Sequence, residues 1–260
     1  MDIITHAISG LAVGTVVASI SKKKTVENLK IIGFSGFGAV LPDIDAISLW
    51  SKFDGIFGKL FNLNYLGRDI YSMKLWYSHH GFFHSISAAL LLTFCLGFVF
   101  YLFQRKKQSF FGAFQNNLPV LIGFFAGFLI HFFEDMPTPS GSWGGVRLFF
   151  PLKIYVGGTG NIWWWNNYDI FLIALSVFLI NALILALRRP LKLKTAKPSI
   201  IVFFIGIVLI MIQIKTRNFD FNLHTYPQSE QKSQEIQHLI LGDKWHKRML
   251  DFDSRVKVCF

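Results

Sequence analysis

Six apolar runs divide this chain, at about 3–20, 30–50, 82–103, 118–135, 168–187 and 199–214. A helix needs about 20 largely apolar residues to cross a bilayer core roughly 30 Å thick, with about 17 to 25 the usual range. In hydrocarbon a backbone must satisfy its own hydrogen bonds, so spanning segments are helices or closed barrels. Runs of this length predict an all-α, polytopic integral membrane protein with five or six transmembrane helices. Pro42, Asp43 and Asp45 interrupt the second run and predict a helix broken at Pro42. Such a break is tolerated only where it lines protein or a water-filled cavity. The sixth run is short and either stands nearly upright or lies partly in the interface. Residues 1–214 therefore read as a membrane-embedded helical domain, and 215–260 as a polar C-terminal tail.

Charge agrees with lipid as the main solvent. Only 16% of residues are charged and 52% are hydrophobic, against about 25% charged in a soluble domain. The mean hydropathy is +0.44. The formal charge of +11 could signal nucleic acid or membrane. Its basic residues sit in short runs between the apolar segments, as at Lys22-Lys23-Lys24 and Arg105-Lys106-Lys107, so nucleic-acid binding is set aside. Loops 20–30, 104–117 and 188–198 carry 4, 3 and 5 basic residues, while the longer loops 51–81 and 136–167 carry 4 and 2. The positive-inside bias makes the first set cytoplasmic and expects both termini on the outer face of the membrane. Cys95 lies inside an apolar run and Cys259 is penultimate, so neither a disulfide nor a thiolate metal site is expected. Only Met1 and Asp2 precede the first run, which argues against a cleaved signal peptide. Trp163-Trp164-Trp165 suits an interfacial belt, and loop 51–81 suits an interfacial amphipathic segment.

Histidine and carboxylate are costly next to hydrocarbon and are kept there mainly for ions, protons or substrate. His6 opens the first run, Asp43 and Asp45 fall late in the second, and His79, His80 and His84 stand at the mouth of the third. His131 and Asp135 close the fourth. If the spans alternate, the starts of the odd segments and the ends of the even ones share one side. Every candidate then falls on that side, and Asp169 at the start of the fifth joins them. From Ile31 to Asp43 and from Leu118 to His131 the helical rise is about 18–20 Å, so the site is expected about 10 Å below the nearer surface.

His131 and Asp135 are an i, i+4 pair on one helix face. Asp43-Ile44-Asp45 sends two carboxylates to one side of an extended turn. His80 and His84 also share a face if the third helix begins that early; His79 with His84 requires a lead-in loop. Imidazole and carboxylate without thiolate suit zinc first, then manganese or iron. So many donors would serve two or three ions, the arrangement that most often hydrolyses phosphoesters. Each residue also has a plainer role, as a helix cap, a hydrogen-bonded structural pair or a surface histidine such as His224, His238 and His246 in the tail. Arg147 reads as an anion clamp or as a surface arginine.

Thr5-His6-Ala7, Leu41-Pro42-Asp43-Ile44-Asp45, His79-His80-Gly81-Phe82-Phe83-His84-Ser85, and His131-Phe132-Phe133-Glu134-Asp135 with Thr138-Pro139-Ser140-Gly141 resemble the membrane-bound metal-dependent hydrolase family. Its members are described as inner-membrane hydrolases, some under SOS (LexA) control. The resemblance covers roughly residues 1–190. The family's cluster usually reads His-Arg-Gly-x-Thr-His-Ser, with His80 here at the arginine position and Phe83 at the threonine position. That pattern implies His79 and His84 as ligands, with His80 behind them in support. The family is in turn distantly similar to zinc-dependent phospholipases C, which implies phosphoester chemistry.

Together these features predict a membrane-embedded metallohydrolase of a lipid or lipid-linked phosphoester, its site facing the outer side. His6, Asp43, Asp45, His79, His84, His131 and Asp135 would bind metal, and Asp45 or Asp135 would double as general base towards water. The competing expectations are a transporter or ion-handling protein using the same cluster, and a scaffold with a structural metal.

Overall fold

The computed structural model describes residues 2–21, 23–138, 145–158, 167–188, 190–192, 194–216 and 225–256. Trp163-Trp164-Trp165, His224, Cys259 and Pro139-Ser140-Gly141 lie outside them. Among the described residues six helices are long and apolar enough to cross a membrane. The chain is a polytopic all-α protein, and among the described residues extended backbone pairing is confined to one antiparallel bridge between Val146 and Val156.

Helices α1 (Ile3–Ser21), α2 (Thr25–Val40) and α5 (Phe110–Asp135) form the centre, each touching the other two. The buried face of α1 is built from small residues, including Ser9, Gly10, Ala12, Gly14 and Ala18. Lipid tails are as apolar as leucine, so helices associate in membranes through close backbone packing over such faces. The α2–α5 contact is the tightest: a methyl group on Gly127 would overlap the Ser35 carbonyl, and one on Gly38 would overlap that of Phe124. This approach brings the C-terminal ends of α2 and α5 side by side.

The second span breaks where expected. Pro42 has no N–H to donate back along the helix, so the α-type bond pattern stops there. Leu41 makes the last α-type bond, to the Phe37 carbonyl. A 3-10 helix continues from Leu41 to Leu49, long for a type usually confined to three or four residues. The fourth span starts earlier than its hydropathy suggests. Helix α5 runs through Pro119, and its first two turns pack Phe110 and Phe114 on Phe94 of α4 (Ile86–Gln104). The third span starts later than Phe82. Ser85 caps α4 by accepting the Ala88 N–H at 3.1 Å, so Phe82–His84 form a separate 3-10 turn. His80 and His84 are therefore not on one helix.

On the far face of α5, Phe124, Phe128 and Phe132 stack at four-residue spacing against Ala89 and Val146. Helices α6 (Tyr168–Leu187) and α7 (Ala196–Thr216) flank α1. Loop 51–81 folds as short helical pieces, among them α3 (Gly67–Ser72). The tail is a long helix, α8 (Tyr226–Val256), bent at Gly242, whose φ of 68° favours glycine. It docks on the site side: Met249 is fully buried against Tyr168, Phe171, Ile4 and Ile8. The Gln237 side chain accepts the Tyr168 N–H at 2.9 Å, capping α6.

Candidate metal centre

The site lies where α1, the 3-10 extension of α2, the loop before α4 and the end of α5 meet. His6, Asp43, Asp45, His79, His80, His84, His131 and Asp135 are all brought there. Five imidazoles and three aspartates come from four separate stretches of chain, and all but Asp43 are buried.

The histidines share one logic. The Nδ1–H of His131 donates to the Ala39 carbonyl at 2.7 Å, and that of His80 to the Gly145 carbonyl at 2.9 Å. His6 Nδ1 bonds Glu134 Oε2 at 2.7 Å. Asp45 accepts from two rings, His79 Nδ1 at 2.8 Å and His84 Nδ1 at 2.9 Å. An imidazole whose Nδ1 proton is committed in this way presents Nε2 as a lone pair.

Four of those Nε2 atoms converge on Asp135. His131 Nε2 is 2.9 Å and His84 Nε2 3.4 Å from its Oδ2, His80 Nε2 is 3.6 Å away, and His6 Nε2 is 3.2 Å from Oδ1. Asp43 Oδ1 lies 3.6 Å from His131 Nε2 and 3.7 Å from His84 Nε2. Its side chain is 15% exposed against 1% for Asp45 and 3% for Asp135, so the cluster meets its surroundings through Asp43. His6 stacks on His131 at 3.8 Å.

A divalent metal fits this donor set. The Nε2 atoms of His84 and His131 are 3.1 Å apart with both Nδ1 atoms engaged elsewhere, so a proton or a metal ion must lie between their lone pairs. His6 Nε2 is buried, makes no well-aligned hydrogen bond among the described residues, and has the Asp135 carboxylate 3.2 Å away. Among the described residues three groups have donor atoms within 4.8 Å of one another: His79, His80, His84; Asp43, His84, His131, Asp135; and Asp43, Asp45, His79, His84.

The two fully buried histidines of the loop before α4 differ in their electrostatics. Burial, followed by the charges of His79 and His84, holds the His80 imidazole well below the usual histidine range, leaving it neutral. Burial works against a charge on His84 too. The Asp45 carboxylate and hydrogen bonds to Asp135, Asp43 and Asp45 outweigh it and raise His84 well above that range.

His80 adopts φ of +60°, uncommon for a residue with a side chain. The bond to Gly145 and the Arg147 N–H donated to its own carbonyl at 3.1 Å hold it there. Its Nε2 thus faces the same carboxylate as those of His6, His84 and His131, rather than lying behind them.

Glu134 was not singled out in the sequence, although it adjoins Asp135; its signal was a second carboxylate at the end of an apolar helix. The Ala39 and Gly145 carbonyls left no sequence signal at all. Asp169 lies buried at the start of α6 and belongs to none of the three groups. Arg147 is neither a surface residue nor a free clamp. It is 7% exposed, and its guanidinium donates to the Leu152 and Pro151 carbonyls at 2.8 Å each.

The family model described as YdjM inner membrane protein matches residues 1–219. The chain belongs to the YdjM inner membrane protein family. Family and fold agree on a multi-pass membrane protein. No curated protein and no solved structure matches the chain. The residues matched to the YdjM family contain the whole His/Asp centre and α1–α7, and end before α8.

Proposed function

We propose that this chain is a membrane-embedded, metal-dependent hydrolase acting on a phosphoester in a lipid or lipid-linked substrate. One observation carries the proposal: four imidazole Nε2 atoms converge on Asp135, each ring held from behind through Nδ1. Metal-ligating histidines are typically oriented in this way, by a carboxylate or backbone carbonyl on the other ring nitrogen.

His6, His84 and His131 with Asp43 and Asp135 would hold one ion. His79 and His80 would serve a second. Zinc is the first choice for this donor set and manganese the second. Bound there, such ions supply Lewis acidity, which lowers the pKa of coordinated water and neutralises phosphoester oxygens. Asp45 commits both oxygens to imidazoles and would orient His79 and His84. Asp135, among the ligands, is the carboxylate we assign to taking a proton from water. The resemblance to phospholipases C supports phosphoester chemistry, and the weight of Lys and Arg on the opposite loops supports a site facing outward.

The test is elemental analysis of purified wild-type protein beside His84→Ala and His131→Ala, followed by hydrolysis assays with Asp135→Asn. We expect about two bound ions, lost in both alanine variants while the protein stays folded, and phosphoester turnover that Asp135→Asn abolishes. A folded wild type that stays metal-free after resupply, or unimpaired turnover in Asp135→Asn, would refute the proposal.

A further inference from the structure

A cavity opens beside the centre, and nothing in the catalytic reading accounts for it. It has a volume of about 610 Å³ and is lined almost wholly by apolar side chains, with Ile47, Phe53, Phe57, Phe61, Ile70 and Phe83 among them. Its size falls in the range of small-molecule sites, about 300–1,000 Å³. The 3-10 helix after α2 supplies one wall, the segment from Phe53 to Ile70 the second, and Trp76, Tyr77 and Phe83 the third. The second wall is anchored rather than loosely draped. Gly67 donates its N–H to Asp54 Oδ1 at 2.7 Å, and its α-carbon sits so close to Ser48 that a β-carbon would overlap that residue's carbonyl.

Two observations say what would occupy it. First, Asp45 is the one carboxylate among the described lining residues, and both its oxygens bond the ring nitrogens of His79 and His84. Asp45 therefore joins the cavity wall to the His/Asp centre. Second, the segment around the cavity is built for a membrane surface. It exposes Leu60, Phe61 and Trp76, interleaved with exposed Lys52, Lys59, Arg68 and Lys74. Aromatic and aliphatic side chains mixed with basic ones mark an interfacial segment that favours anionic headgroups. An apolar cavity that shares Asp45 with the His/Asp centre, within a segment whose surface carries exposed cations, matches an amphiphilic anion with a long tail.

We propose that this cavity holds an acyl chain of an anionic phospholipid and thereby sets the phosphoester of that lipid against the His/Asp centre. The inference rests on the hydrolase reading for the fate of the phosphoester, but occupancy of the cavity does not depend on catalysis.

The experiment uses full-length protein in phosphatidylcholine nanodiscs containing a small fraction of phosphatidic acid with a diazirine at the end of one acyl chain. After illumination, labelled peptides are mapped by mass spectrometry. We expect adducts concentrated in residues 44–70 and at Phe83. Ile47→Trp and Phe57→Trp, which fill the cavity from different walls, should each cut that labelling at least five-fold with bound metal unchanged. If either variant fails to fold, the other decides.

Labelling unchanged in a folded variant would overturn the proposal. So would adducts concentrated in the separate 450 Å³ groove lined by Phe133, Ile170, Ile207 and Ile210, or spread evenly over all lipid-facing helices. A protein without metal or turnover that still labels at 44–70 would refute the hydrolase reading and leave the lipid site standing.

Discussion

At the scale of single residues the centre depends on which ring nitrogen each histidine presents. His6 depends on Glu134, since the 2.7 Å bond to Nδ1 turns Nε2 towards Asp135. Partners of this kind typically contribute 10–100-fold to metal affinity. Glu134→Gln keeps the size of the side chain but removes its charge and offers one acceptor oxygen. We expect metal affinity to fall by about ten-fold or more with little change in melting temperature, measured by competition against a chelating dye. Unchanged affinity would show that His6 is held by its packing on His131 alone. The sequence named His6, His131 and Asp135 correctly as neighbours, because charge beside hydrocarbon stands out in an apolar run. Glu134 escaped notice because its role lies in a contact 128 positions away in the chain.

At the scale of elements, proline and serine end helices in ways that can be read locally. Pro42 ends α2 because it removes a donor, and Ser85 starts α4 because its hydroxyl satisfies one. The later start of α4 removes the helical register that would have paired His80 with His84. Helix α8 was harder to foresee. Its residues are polar enough to read as a tail, yet Met249 and Gln237 fasten it to α1 and α6. Truncating a buried methionine to alanine costs about 2–5 kcal/mol. Met249→Ala should therefore lower the melting temperature clearly in a thermal scan, while bound metal per folded molecule stays constant. Loss of metal in the folded variant would instead make α8 part of the centre.

At the scale of the molecule, alternation of the spans delivers the starts of α1, α4 and α6 and the ends of α2 and α5 to one side. Which side that is can be measured directly. In a background with Cys95→Ser and Cys259→Ser, Lys74→Cys reports the site side and Lys106→Cys the opposite one. With a membrane-impermeant maleimide on intact spheroplasts, we expect Lys74→Cys to react and Lys106→Cys to react only after permeabilisation. The reverse pattern would put the centre on the cytoplasmic side, where a different pool of phosphoesters is available.

By itself the sequence determined the solvent, the multi-pass helical class and the side to which the polar residues go. Those follow from the length of apolar runs and from the cost of burying charge, both of which are local along the chain. Only the tertiary structure decided that Asp45 holds two imidazoles, that His80 faces Asp135 from a left-handed turn, and that an apolar cavity adjoins the centre. Each of these depends on how closely α2 and α5 approach and on where loop 51–81 folds back. Such distances are set by packing between distant residues, and no local pattern in the chain encodes them.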